Sequence, residues 1–268
     1  MGRVAVALSV LVLPLSAGCG GSKPSSSTSE TTAQGPYETV QAAAQKTVQA
    51  GSEHVAIEAN ASSGSRKVGL TGTGDFDSQN RQGSFVANAS IGGIQASLEE
   101  VLDGTTAYVR SPLLTVLLPA GKSWLKIDLA AAGQALGIDT AVLRAQDPAV
   151  ALAQLQALQN VRTVATATVN GATLTHYRGT LDTAKLPKAS ADALSASGSS
   201  PGPADVWVGD DGYVHRLRLT TRKTTSSGAA GTVVTERLSQ FGKSVLVSVP
   251  AGSETVDAST VTIPGLGG

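Results

Sequence analysis

Near its start the chain changes the period of its apolar positions, and the change separates one helix from a long run of strands. Between Glu38 and Ala50, Val40, Ala43, Ala44 and Val48 recur at helical spacing, and Gly51 closes the stripe. From there the period is two. Val55, Ile57, Ala59 and Ala61 alternate with His54, Ala56, Glu58 and Asn60. Val68, Leu70, Gly72, Gly74 and Phe76 alternate with Lys67, Gly69, Thr71, Thr73 and Asp75, and Phe85, Ala87, Ala89 and Ile91 follow the same rule. Successive side chains of a strand point to opposite faces, so each run offers one apolar face to a core. Polar breaks at 62–65 and 77–80 predict that the three strands form an antiparallel meander.

The segment from Ile94 to Leu102 fits both periods, because Leu98, Val101 and Leu102 also match a helix. The hairpin signal Asp103-Gly104 and the return segment Ala107 to Arg110 favour a strand, which turns Glu100 inward. Between Pro112 and Pro119, five of six residues are large or branched apolars. That segment predicts either a buried strand or helical turn, or an apolar lip over a cavity. Ser123 to Leu129 alternates again. Two short helices follow, one capped by Asp139 and one by Asp147 with Pro148 at its first turn and Leu152, Leu155 and Leu158 as its stripe. Asn170-Gly171 predicts a hairpin between 161–169 and 172–181, and Pro187 to Ser195 a short helix. A Ser/Gly/Pro loop at 196–203 leads into a hairpin around Gly209-Asp-Asp-Gly212. Strands at Val233–Gln240 and Val245–Val249 and a frayed tail from Pro264 end the chain. Strands segregated from helices in this way indicate an α+β fold, with helices over one face of an antiparallel sheet. About ten strands in one sheet must curve strongly.

Composition narrows what such a sheet can hold. Aromatic residues make up 3% of the chain, so its inner face is aliphatic and small. Twenty basic residues balance twenty acidic ones, which leaves no electrostatic footprint for nucleic acid. At the N-terminus, Arg3 precedes an apolar stretch from Val4 to Leu13 that closes in Leu15-Ser-Ala-Gly-Cys19. Such a stretch is too short for a membrane span, which needs about 20 apolar residues, and predicts a signal peptide over 1–18. Its last residues resemble a bacterial lipobox, with Ser16 where a larger aliphatic is commonest. The resemblance implies cleavage before Cys19, acylation of its thiol and a lipid anchor on the extracytoplasmic face of a bacterial cell membrane. Lipidation also uses the one thiol of the chain, which leaves none for a disulfide, a zinc cluster or a nucleophile. Residues 19–36 read as a flexible Gly/Ser/Thr-rich tether, 37–263 as one domain and 264–268 as a tail.

Catalytic patterns are scarce. His54, His176 and His215 sit at polar strand positions without metal spacing. Gly198-Ser-Ser-Pro-Gly202 matches a nucleophile elbow by letter, but lies in a low-complexity loop with Pro201 inside it. Asp75 to Gln79 begins like a calcium loop, yet Asn80 replaces its glycine. Asp210-Asp211 reads as a turn. No enzyme and no cofactor are expected.

The segment from Asp205 through Trp207 and His215 to Leu219 resembles the late hairpin of actinobacterial LppX/LprG-type lipoproteins, relatives of the LolA-like carrier fold. Glu236 to Gly242 with Val245 to Pro250 is similar to that family's final strand pair. Tyr108-Val-Arg110, Trp124 to Asp128 and the lipobox add to the likeness, which runs over residues 36–258. It implies a strongly curved half-barrel covered by helices around an apolar cavity. It also implies a lipid-binding domain that carries acylated lipid or lipoglycan across the cell envelope, with an envelope transporter as a further partner. Candidate cavity positions on the inward faces are Val55, Ile57, Val68, Leu70, Phe76, Phe85 and Leu98. Leu113, Leu114, Val116, Leu117 and Leu118 are candidates for a gate at the cavity mouth. The competing expectation is a tethered sensor or accessory protein that binds a protein or lipopeptide.

Overall fold

A computed structural model describes residues 34–63, 66–91, 94–131, 148–169, 171–225 and 228–261. Helix α1 (Pro36–Gln49) leads into β1 (Ser52–Ser63), β2 (Arg66–Asp77), β3 (Gln82–Ile91), β4 (Ile94–Asp103) and β5 (Thr106–Arg110). A single helical turn, α2 (Pro112–Thr115), precedes β6 (Trp124–Asp128). Further on, α3 (Pro148–Gln154) and a 3-10 turn feed β7 (Leu158–Val169) and β8 (Ala172–Leu181). Then come α4 (Lys188–Ser197), β9 (Ser200–Gly209), β10 (Val214–Thr225), β11 (Gly228–Ser239) and the short β12 (Thr255–Asp257). All twelve strands lie in one sheet, ordered β12-β6-β5-β4-β3-β2-β1-β11-β10-β9-β8-β7. Each neighbouring pair is antiparallel except β12 with β6. The sheet is large, open and curved, and it does not close into a barrel.

Two meanders, β1 to β6 and β7 to β11, become one sheet through the ladder between β1 and β11, which runs from His54 opposite Ser239 to Ser63 opposite Ala230. Across the centre of the inner face, Leu217, Glu236, Ile57 and Gly72 follow one another on β10, β11, β1 and β2. Helix α1 lies on this face over β7, β9 and β10, and α3 packs beside α1. Val40, Ala43 and Ala44 of α1 join Val55, Phe85, Leu152, Leu155, Val206 and Leu217 in one buried cluster. Thr47 fixes the seat of α1. Its buried hydroxyl donates to the Ala43 carbonyl at 2.8 Å and accepts from the Val214 amide at 2.9 Å.

Two glycines of β2, Gly72 and Gly74, are there for space. A Cβ on Gly72 would lie 2.3 Å from Phe85 Cζ, and one on Gly74 would lie 2.2 Å from the Ser84 carbonyl oxygen and 2.8 Å from Phe85 Cδ2. The Phe85 ring therefore lies over bare backbone, and Phe76 covers Gly83 in the same manner. A chain poor in aromatics gains much of its buried aromatic area at this one place.

Two expectations are corrected. The loop expected at 196–203 is shorter, because α4 runs to Ser197 and stops at Gly198, whose φ of +62° lets the Ser199 amide reach the Leu194 carbonyl. Strand β9 then starts at Ser200. The strand expected at Val245–Val249 is not formed, and Leu246 is 94% exposed. Both edges of β11 are already taken, by β10 and β1, so the segment after it has no edge to join. The chain reaches the far side of the sheet instead, where β12 pairs with β6. The leader with Cys19, the caps Asp139 and Asp147, Asn170 and the tail from Pro264 lie outside the described residues.

Gly74→Val is expected to lower unfolding free energy in urea by on the order of 1–3 kcal/mol, the usual cost of overpacking. Gly69→Ala, whose new Cβ would meet only Asn60 Oδ1 at 3.6 Å, is expected to unfold like the parent.

Candidate functional site

The inner face is buried at one end of the strands and open at the other. Toward the end where β1 begins, Val55, Ile57, Phe76 and Phe85 are at most 7% exposed. The register carries the same face onward through Ala59, Leu70, Ala89 and Ala96, which are half-buried. Val68 is 40% exposed and Ile94 69%. Leu98 of β4, opposite Ala87, stands between the two regimes. All seven candidate cavity positions thus share one face. Val55, Ile57, Phe76 and Phe85 belong to the packed floor, while Val68, Leu70 and Leu98 form the wall that continues beyond it. Among the described residues, α1 covers the β7–β10 wing with α3 beside it, and β4 meets the small α2.

At the open end a cleft of about 770 Å³ lies along β1, β2, β10 and β11. Asn60, Ser62, Lys67, Thr220, Arg222 and Val233 line it from the outer face of the sheet, and Ala61, Val68 and Ala230 from the inner one. Its size falls within the range of small-ligand sites, which are mostly apolar with a few placed polar groups.

The proline-bracketed segment is a helical turn and is not buried. Leu113, Val116 and Leu117 are 60%, 81% and 44% exposed, while Leu114 and Leu118 are half-buried. Strand β5 pairs no further than Arg110 opposite Glu99, so Ile94 to Leu98 of β4 extend past it, and α2 stands against β4. The turn is held by the Ser111 carbonyl, which accepts from the Leu114 and Thr115 amides and from the Thr115 hydroxyl.

Polar groups also face inward. Glu100 lies opposite Phe85 on one side and Val109 on the other, as the alternation of β4 required. Burial pushes its carboxyl from the ordinary 4.5 up to about 7. Glu53 and Glu236 share the inner face and are 3% and 6% exposed. The alternation of β11 through Val234, Glu236 and Leu238 carried the signal for Glu236, which sequence reasoning missed.

The three histidines each meet an aspartate. His54 Nδ1 is 2.7 Å from Asp75 Oδ1, and its Nε2 is 2.9 Å from Thr73 Oγ1. His176 Nε2 is 2.7 Å from Asp205 Oδ1, and His215 Nε2 is 2.9 Å from Asp211 Oδ2. The first two pairs span neighbouring strands, which no local spacing reveals. Among the described residues no cluster of three or more His, Cys, Asp or Glu is arranged to hold a metal. Asp210 and Asp211 sit in the β9–β10 turn, closed by the Gly212 amide donating to the Gly209 carbonyl.

Protonated Glu100 fits its apolar surroundings and the carboxylate does not. Its contribution to stability is therefore complete below the unfolded value of about 4.5 and is lost as pH rises through about 7. The melting temperature of the parent is expected to fall between about pH 5 and pH 8, and Glu100→Gln is expected to flatten that fall. Equal pH profiles for the two proteins would contradict this assignment.

Comparison with known proteins agrees with this architecture. The model of the LppX_LprAFG lipoprotein family matches residues 35–247. The fold is similar to LprF from Mycobacterium bovis, at 17% identity and a TM-score of 0.52, over 81% of this chain and 97% of that one. Lipoprotein LppX from Mycobacterium tuberculosis aligns at 16% identity and a TM-score of 0.46, over 78% of this chain and 98% of that one. Comparison with curated proteins gives no significant match. A family match over most of the chain, on an open antiparallel sheet of this kind, makes the protein a member of the LppX_LprAFG lipoprotein family.

Proposed function

We propose that this lipoprotein holds the acyl chains of a lipid or lipoglycan on the open part of its inner face and carries them between membranes of the cell envelope. The observation that carries the reading is the continuation of one apolar face from a packed floor at Val55 and Phe85 to an exposed rim at Val68 and Ile94. A monomer rarely leaves a wall of this kind uncovered unless something binds there. Acyl chains gain about 0.8 kcal/mol for each CH₂ removed from water, and an aliphatic wall supplies that without directional contacts. Leu113 to Leu118 would serve as the gate, since an exposed apolar turn beside β4 can shield a chain on its way to the wall.

The anchor is Cys19, acylated after removal of 1–18, with 19–36 as the tether and 37–263 as a single lipid-binding domain on the extracytoplasmic face. Among the described residues no helix is long and apolar enough to cross a membrane. Two or three fatty chains on one cysteine hold durably where a single chain does not. Cys19→Ala is expected to move the protein from the membrane fraction to the soluble one, and unchanged membrane retention would place the anchor elsewhere.

Transfer of a fluorescent diacyl lipid between vesicles tests the carrier reading. Leu70→Trp and Leu98→Trp are expected to lower transfer at least tenfold with melting temperatures near the parent's, because both side chains stand on the half-open wall. Leu114→Ser with Leu117→Ser is expected to slow the same transfer at unchanged melting temperature. Unaltered transfer in all of these variants would overturn the reading in favour of a tethered sensor.

A further inference from the structure

The convex side of the same sheet carries an arrangement of charge that lipid carriage does not use. Side by side on β8, β9, β10 and β11 stand His176, Trp207, Arg216 and Arg237. Two residues along, Arg178, Asp205 and Arg218 form the next row. Asp205 is 1% exposed and is already claimed three times. It accepts from Arg178 Nε at 2.6 Å, lies 2.7 Å from His176 Nε2, and has Arg218 4.0 Å away. Burial alone would raise its pKa, but these hydrogen bonds and charges hold it below the usual carboxylate range.

Arg216 is left over. Its guanidinium lies 4.5 Å from the Trp207 ring centre, which itself stacks on His176 at 4.3 Å and 7°. Its Nε is buried without an acceptor, and among the described residues no carboxylate comes within 4 Å of it. Directly opposite on β11 is Arg237, exposed and likewise without an ion pair among the described residues. Like charges facing each other across a strand pair oppose pairing. Burial, then the charges of Arg237 and Arg218, depress the Arg216 pKa, against the opposite pull of the Glu58 and Asp205 charges.

The other tryptophan of the chain shows what a completed version looks like. On the opposite wing Arg110 lies 4.6 Å from the Trp124 ring centre, and Glu99 on the neighbouring strand pairs with it. The β9–β11 wing repeats the arginine over tryptophan, but among the described residues no acid stands within ion-pair distance of Arg216, which leaves room for an anion from outside the chain.

We infer that the outer face of β9, β10 and β11 docks on the phosphate-bearing head groups of an anionic bilayer, with Arg216 and Arg237 as the phosphate-binding pair. Guanidinium forks match phosphate oxygens two at a time, and an indole beside them suits the interface between water and lipid. Position favours the bilayer as the source of that phosphate. The Tyr37 hydroxyl donates to the Gln156 carbonyl at 3.4 Å and the Gln41 amide to the Leu155 carbonyl at 2.5 Å. These bonds place the start of α1 beside the start of β7, on the inner face of the wing whose outer face bears the arginines. Sixteen residues, 20–35, separate Cys19 from α1, so an acyl anchor there would keep a membrane close to this wing. This last step rests on the anchored reading above, while the charge argument stands without it. Arg222, on the same face of β10, borders the cleft, so docking here would bring the cleft to the lipid surface.

The test uses the secreted form from residue 19 with Cys19→Ala, so that no acyl anchor contributes. It is sedimented with vesicles of phosphatidylcholine alone or mixed equally with phosphatidylglycerol. Binding is expected to the anionic vesicles only and to weaken as sodium chloride rises. Arg216→Gln with Arg237→Gln is expected to lower binding roughly thirtyfold, from two charges near the surface. The charge-keeping pair Arg216→Lys with Arg237→Lys is expected to retain most of it, and Glu99→Gln with Arg110→Gln on the other wing all of it. Thermal unfolding of each variant separates lost docking from lost folding. Equal binding to both vesicle types, no binding to either, or parent-like binding by a folded double glutamine variant would overturn the inference. None of these variants touches Leu70 or Leu98, so diacyl lipid transfer measured on the same proteins keeps a failure of docking distinct from a failure of the carrier reading.

Discussion

One ladder of hydrogen bonds sets the problem that the rest of the molecule answers. Pairing of β1 with β11 fuses two meanders into a single twelve-stranded sheet, whose apolar face is longer than the helices laid on it. An open sheet of this width has to curve, and its concave side becomes a trough. Helix α1, with α3 packed beside it, closes the β7–β10 wing, where Val40, Leu152 and Leu155 bury fully. Beyond Leu98 and Leu70 the same face continues half-open. Uncovered aliphatic surface is then a consequence of topology, and on the proposed function a bound acyl chain covers it.

The polar features are arranged around that trough. Glu100 sits where floor meets wall, and its pKa near 7 keeps much of it neutral at physiological pH. The exposed turn at Leu113 to Leu118 stands against β4, alongside the half-open wall that Leu98 begins. On the convex side, the two tryptophans each carry an arginine, one matched by Glu99 and one not matched by any described acid. A trough for acyl chains backed by a face for head groups describes a protein built to work at a lipid surface, and this is the proposal that joins the two faces.

Much of the sheet was legible because a half-buried strand writes its exposure into the chain with period two. The alternation gave the inward set of β1, β2 and β3, turned Glu100 inward on β4, and placed the hairpins at Asp103 and around Gly209. Depth along a strand is not written in that period. Val55 and Val68 obey the same alternation, yet one is fully buried near α1 and the other is 40% exposed. Pairing between distant segments was equally hidden, which is why Val245 to Val249 looked like a strand although neither edge of the preceding β11 was free for it. The His176–Asp205 and His54–Asp75 pairs, and Phe85 lying over Gly72 and Gly74, depend on neighbouring strands and leave no mark in local spacing.

The central claim is that the open wall is occupied by lipid in the working protein. Native mass spectrometry of the protein purified gently from a membrane-containing host tests it most directly. The account predicts a mass above that of the acylated chain, released on delipidation as a species with acyl chains, and absent from Leu70→Trp and Leu98→Trp. A protein that purifies without added lipid mass, and stays so after exposure to envelope lipid, would contradict it.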